Sequence, residues 1–352
     1  MIPSDGPFDG PSGRSIGPVE PAWRLRTRVL PDDPPIPAIA ALKSNGLAAV
    51  LPSMDLGHAP VQMELCGYSP GVRATFDVRA GGQRFALKVY AKDPSLEVEL
   101  HKALEEAGLA GDSGPRAPRL LAWEPGLRMF AISWLDGYPA NELIKVGRAR
   151  RAGLLAARWL RRLASRSPKL GPALGPSHVL ARCAQSVENL RAADFALGVA
   201  SEKVLSTLRS AEPENGRPSL VHGSLYSRHV LDLGDGPGVI DWQRFGQGPV
   251  ELDAGMFLAT VSRSALRHAK WAKPMAQAER AFLRRVRPLV DGRAVAWHWA
   301  EALLHLASRG LRRARIAEAY PLVREADSWA RFATGEKGPR DRFGRPWRWL
   351  DD

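Results

Sequence analysis

Cysteine is nearly absent: Cys66 and Cys183 are the only two in 352 residues. That gives no basis for a disulfide framework, and no spacing suggests a zinc site. Long hydrophobic runs are also missing. The most apolar candidates, such as AWHWAEALLHLA at 296–307, carry His and Glu at helical spacing, so no membrane span is expected. The opening MIPSDGPFDGPSGRSIGPVEP has neither a basic start nor an apolar centre and does not read as a signal peptide. A cytoplasmic address is expected. Acids are scarce too, with 37 Asp and Glu against 50 Lys and Arg, a formal net charge of +13. Such a balance raises the question of nucleic acid, but the arginines are scattered rather than gathered in one arm or one aromatic-interleaved stripe. Nucleic acid is therefore an unlikely partner, and an anionic small molecule suits the charge equally well.

What is present is enough for a substantial core. Apolar residues make up 45% and charged residues 25%, and the length suits two lobes or two domains. Residues 1–40 are rich in Pro and Gly with no periodicity and read as a flexible extension. TFDVRAGGQRFALKVY then supplies two strands, 75–79 and 84–90, around a Gly-Gly turn. Asp93 and Pro94 open a helix that stops at Gly108, with an apolar stripe of Leu96, Leu100, Leu104 and Ala107. Two more strands flank the Glu-Pro-Gly turn at 124–126. Beyond Asp136 the pattern is mostly helical: 148–166, 177–197, 200–210, 251–267, 274–287, 293–314 and 318–333. In the first of these Leu155, Trp159 and Leu163 form the inward stripe and the arginines a solvated face. One strand–loop–strand stretch, 219–250, interrupts the helices. The division expected is an N-lobe over 41–133, a helical C-lobe over 134–335 and a basic tail over 336–352: an α+β chain of two lobes with a cleft between them.

Several residues sit where packing explains them poorly. Lys88 lies inside the strand FALKVY; an edge-strand lysine turned to solvent is the ordinary alternative. Glu97 and Glu99 on the following helix are both candidate partners, and spacing does not choose between them. Asp241 follows Val239 and Ile240 at the end of a strand, a position that suits a metal-holding carboxylate better than a core residue.

HGSLYSRHVL followed by GVIDWQRFGQGPVELDAGMFLA resembles the catalytic and metal segments of aminoglycoside phosphotransferases and their choline-kinase-like relatives. YSPGVR at 68–73 is similar to the family's nucleotide-loop segment, and ALKVY to its phosphate-binding strand. The resemblance covers about 60 to 310 and implies a protein-kinase-like fold, with a small β-rich N-lobe and a larger helical C-lobe. It further implies ATP with magnesium (manganese as the alternative) and a small-molecule hydroxyl substrate. By position it implies Lys88 and Glu97 at the phosphates, the latter seven residues before Leu104. It also implies Arg73 as a phosphate contact and Ser133 to Leu135 at the adenine. Asp241 would hold the metal and Asp253 would open the next helix. His222 takes the place of a structural loop histidine; as a base for Ser224 it would have to reach a residue only two positions away.

Two departures stand inside the loop. Ser224 replaces the catalytic Asp, and His229 replaces the metal-binding Asn. Serine is no carboxylate base, and imidazole suits manganese or zinc better than magnesium. Two readings follow: a phosphotransferase with altered or impaired chemistry, or a pseudokinase that binds nucleotide or a protein partner without transfer. The family's usual activity favours the first. Nothing in the helical lobe offers acids for a polycationic antibiotic.

Overall fold

The computed structural model describes residues 30–57, 60–214, 216–311 and 316–336. The extension expected over 1–40 falls largely outside them, as does the basic tail beyond Glu336. The first element, α1 (Pro37–Val50), starts inside the stretch assigned to the extension. Ile36, Ala38 and Ile39 are buried in the N-lobe core, so apolar contacts order a segment that lacks a clear helical period.

The N-lobe sheet is antiparallel throughout, built from β1 (Gln62–Ser69), β2 (Arg73–Ala80), β3 (Gln83–Tyr90), β4 (Leu120–Glu124) and β5 (Met129–Ser133). Their order is β1-β2-β3-β5-β4. The β2–β3 turn is the Gly-Gly hairpin expected: Gly81 and Gly82 take φ of 56° and 74°, the left-handed pair that matches strand twist. Register sets Lys88 between Thr75 of β2 and Phe130 of β5, at the centre of the sheet rather than at its edge.

Between β3 and β4 runs α2 (Ser95–Glu106). Its start differs from expectation: Pro94 occupies the cap position, and Asp93 accepts from the Ser95 N–H at 3.0 Å and its hydroxyl at 2.9 Å. The apolar stripe is also rotated. Leu96 is 43% exposed, while Glu97, Val98, Leu100, His101 and Leu104 are buried. Turning Glu97 inward toward Lys88 forces its neighbour Leu96 outward.

The C-lobe begins with β6 (Tyr138–Pro139) and α3 (Ala140–Lys145), then α4 (Ala149–Ser165), α5 (Pro176–Ala193) and α6 (Phe195–Ser210). Leu155, Trp159 and Leu163 of α4 are buried as their spacing requires. Its outer arginines do more than meet solvent: Arg151 pairs with Asp232 and Arg158 donates to the Asp235 carbonyl. The interrupting stretch forms β7 (Ser219–Val221), β8 (Val230–Asp232), β9 (Pro237–Val239) and β10 (Gly246–Gly248). β10 pairs with β7, and β8 pairs with both β6 and β9. The lobe closes with α7 (Val250–Arg267), α8 (Ala272–Val286), α9 (Gly292–Leu311) and α10 (Ile316–Ala333). Trp297 and Trp299 are buried; the Trp297 indole donates to the Leu208 carbonyl at 2.8 Å, and Trp299 stacks on Trp329. Cys66 and Cys183 form no disulfide, and no helix among the described residues is long and apolar enough to cross a membrane.

Candidate active site

On the N-lobe side, Lys88 is 4% and Glu97 is 7% exposed, and the two form an ion pair. Glu99 is exposed on the far side of α2, so the choice that spacing left open falls to Glu97. Tyr90, two residues beyond Lys88 on the same strand face, donates its hydroxyl to the second Glu97 oxygen at 2.7 Å. Both carboxylate oxygens are thereby occupied, and the lysine is held in one direction. Sequence reasoning passed over Tyr90, although its period-two relation to Lys88 was visible. It also missed Asp33. That carboxylate, just ahead of α1, accepts from the Tyr68 hydroxyl and the Gly71 N–H, both at 2.8 Å. It pins the YSPGVR turn from a segment without a recognisable motif.

Arg73, which follows that turn, reaches across the cleft. Its guanidinium lies 3.7 Å from the Asp241 carboxylate. At the end of the sheet Ser133 spends its N–H on the Arg119 carbonyl and its hydroxyl on the Arg119 N–H, each at 2.9 Å. Leu135 differs: among the described residues nothing bonds its backbone N–H or C=O.

The loop that follows β7 is organised by Asp253, in the first turn of α7. Its carboxylate accepts from the backbone N–H of His222 at 2.6 Å and of Gly223 at 2.9 Å. Burial pushes this carboxyl up to about 7, against the opposing pull of the His222, Gly223 and Leu225 N–H groups. Gly223 has φ 70°, and a Cβ there would sit 1.9 Å from the Arg244 carbonyl oxygen; no other residue fits this turn.

The turn has a chemical result. His222 donates Nε2–H to the Ile240 carbonyl at 2.9 Å, which leaves Nδ1 as an acceptor, and Ser224 Oγ lies 3.3 Å from it. Two residues expected not to reach each other therefore meet, because the left-handed turn at Gly223 folds one back over the other. Burial lowers the His222 imidazole to about 4, so the ring is neutral at physiological pH. Ser224 is itself 7% exposed.

His229 donates Nδ1–H to the Ser224 carbonyl at 3.0 Å. Its Nε2 lies 3.3 Å from Asp241 Oδ2. Burial pushes this imidazole down to about 3, while the Asp241 carboxylate pulls it the other way. Burial alone would raise the Asp241 carboxyl. Attraction from His229, then from Lys88 and Arg73, outweighs that and holds it well below the usual carboxylate range. An imidazole nitrogen and a carboxylate oxygen facing each other across this gap are a donor set that a divalent ion would fit. Its imidazole–carboxylate chemistry suits manganese better than magnesium. Asp241 also holds φ at 70°, a strained value for a residue with a side chain. Among the described residues no group of three or more His, Cys, Asp and Glu could hold a metal. A metal–nucleotide site needs fewer, since the phosphates supply ligands of their own.

The site thus has a paired cation under the sheet, a carboxylate facing it across the cleft, and a hydroxyl loop beside that carboxylate. Solved structures share this fold. An aminoglycoside phosphotransferase APH(4)-Ia thermostable mutant, in a ternary complex with ADP and hygromycin B, matches with a TM-score of 0.57 and 17% identity. The match covers 79% of this chain and 95% of that one. Choline kinase LicA from Streptococcus pneumoniae matches with a TM-score of 0.57 and 10% identity, over 79% of this chain and 95% of that one. Ethanolamine kinase from Plasmodium vivax matches with a TM-score of 0.52 and 11% identity, over 82% and 85%. No curated protein matches the chain in sequence. The signature of the phosphotransferase enzyme family spans residues 64–293, well over half of the chain, and the chain belongs to that family.

Proposed function

We propose that this protein is an ATP-dependent phosphotransferase acting on a hydroxyl of a small molecule, with a catalytic loop rebuilt around Ser224 and His229. The observation that carries the reading is the buried Lys88–Glu97 pair in a strand, close enough to Asp241 to lower its carboxyl. A buried ion pair gains little over well-packed apolar residues, so its presence argues for a task. In this reading the N-lobe, to about Ser133, holds the nucleotide. Lys88 meets the phosphates, Glu97 and Tyr90 aim it, and Arg73 lies beside them. The free backbone groups of Leu135 receive the adenine, a role that Ser133 fills less well because its N–H is taken. Asp241 and His229 would hold the metal, which supplies neutralisation of phosphate charge.

At the acceptor, Ser224 Oγ takes the proton of the incoming hydroxyl as its own proton passes to His222 Nδ1. That imidazole is a weak base, so the reaction is slow. General-base help is worth about a hundredfold to ten-thousandfold, and its partial loss leaves slow transfer within reach.

The test is a thermal-shift titration with ATP and ADP, each with magnesium, manganese or no metal. The expected result is a metal-dependent rise that disappears in Lys88→Ala and Asp241→Ala. No rise under any condition sinks the reading. One observation favours the pseudokinase alternative: the Ser224 hydroxyl is buried and already engaged by His222. That alternative predicts a nucleotide shift without ADP release for any acceptor.

A further inference from the structure

Behind the hydroxyl loop, the C-lobe gathers positive charge from four separate segments. Arg182 lies on α5, Arg263 on α7 and Arg309 on α9, one turn beyond the neutral His305; Arg244 lies in the loop between β9 and β10. The packing that joins them is specific. Arg182 pairs with Glu301, and Asn189 donates to Ser308 at 3.2 Å, which fixes α5 against α9. Glu301, His305 and Arg309 are spaced four apart and share one face of α9. Thr260 of α7 accepts from the Ser227 N–H at 3.0 Å, so Arg263, one turn further, stands beside Tyr226 of the loop.

The charge in this cluster is not balanced. Glu301 is committed to Arg182, and among the described residues no hydrogen bond or ion pair joins Arg244, Arg263 or Arg309 to a carboxylate. Two buried polar atoms, Arg182 Nε and Glu301 Oε2, also have no hydrogen-bond partner. Arg244 and Arg309 are exposed and Arg263 is half-buried, so the three are open to a ligand. Burial and the neighbouring arginines, Arg267, Arg228 and Arg309, bring the Arg263 guanidinium down to about 10. Burial, with Arg182, Arg309, Arg244 and Arg263, brings His305 down to about 3. Like charges gathered from several elements without bonded counter-ions raise the local positive potential and attract an anion.

We infer that the acceptor of this enzyme is itself an anion: a small molecule carrying a carboxylate or phosphate beside the hydroxyl presented to Ser224, with Arg244, Arg263 and Arg309 holding the charged group. The inference rests on the phosphotransferase reading for the word acceptor, and on the cluster alone for the word anion. It sets this chain apart from its structural relatives named for cationic substrates, choline kinase and ethanolamine kinase. Planar guanidinium groups suit bidentate recognition of carboxylate and phosphate, which explains arginine rather than lysine at each place.

The experiment uses four small hydroxyl compounds that differ mainly in charge: glycerate, glycerol 3-phosphate, glycerol and choline. The full chain is melted with each at matched ionic strength, with and without saturating ADP and manganese. Glycerate or glycerol 3-phosphate should raise the melting temperature by about 3 °C over chloride, while glycerol and choline should not. The Arg263→Gln/Arg309→Gln double variant should lose that rise. Without ligand it should melt at the same temperature or higher, because removal of like charges relieves repulsion. An equal or larger rise with glycerol or choline, no rise with either anion, or a rise that survives in the double variant overturns the proposal. The nucleotide shift and its loss in Lys88→Ala are read separately, so the phosphotransferase reading and the anion reading can fail independently.

Discussion

The two sides of the cleft handle charge in opposite ways. Under the N-lobe sheet Lys88 is matched by Glu97, and Glu97 is completed by Tyr90. Across the cleft, in the C-lobe, Arg309 bears on both Arg244 and Arg263, and no carboxylate is bonded to any of the three among the described residues. A saturated network is rigid and aims one cation at a fixed point. An unsaturated cluster leaves its positive potential open to solvent and ligands. The difference teaches that a cation's partners, rather than its presence, separate a prebuilt half-site from one completed on binding.

The sharpest way to break the comparison is to unpair the saturated side. Glu97→Ala leaves a buried, uncompensated Lys88, and removing one partner of such a pair costs about 3–5 kcal/mol. Denaturant unfolding should show that loss, together with disappearance of the nucleotide-induced thermal shift. A variant within 1 kcal/mol (about a fifth to a third of that expectation) would mean that the lysine is hydrated and the N-lobe network is not the rigid half.

The next effect lies in the loop between the halves. Ser224→Asp with His229→Asn restores a carboxylate base and an amide ligand, and turnover should rise about a hundredfold or more. ADP release with an acceptor identified for the native protein measures it. Unchanged turnover would place the deficit elsewhere than in the loop.

The smallest effect compares the halves through their histidines. Burial lowers His101 to about 4 in the N-lobe, where Glu97 pulls the other way. Burial lowers His305 further, to about 3, helped by Arg182, Arg309, Arg244 and Arg263. An imidazole whose pKa is depressed by folding takes its proton in the unfolded chain first. Its contribution is therefore fully present above the ordinary histidine value of 6.5, and is lost as pH falls from there toward 4 or 3. Unfolding free energies at pH 7.5 and pH 5 should diverge less in His305→Gln and in His101→Gln than in the native chain, with a greater flattening for His305→Gln at lower pH. A steeper acid loss in either variant would contradict this.

Most of the element order could be read along the chain. The Gly-Gly hairpin, the strand pair around Glu-Pro-Gly and the seven long C-lobe helices all fall within a few residues of expectation, because local period and turn chemistry decide them. Helix α1 could not be read. Its Pro-rich lead-in and weak period hide a segment ordered by contact with the sheet. Leu96 misled for the same reason: apolarity put it on the inner stripe, while the Lys88 contact turned Glu97 inward in its place.

By itself, the sequence determined the layout of the lobes and the family, since these rest on residue types at short, fixed spacing. Spacing left Glu97 and Glu99 open and the family resemblance favoured Glu97; the tertiary structure supplied the physical reason, burying Glu97 against Lys88. Only it brought Ser224 against His222, through a left-handed turn at Gly223 that a carbonyl presses from the other side. Only it assembled the arginines of α5, α7, α9 and the loop between β9 and β10. Residues so far apart in the chain share no local period, and their charges meet only after four segments have packed.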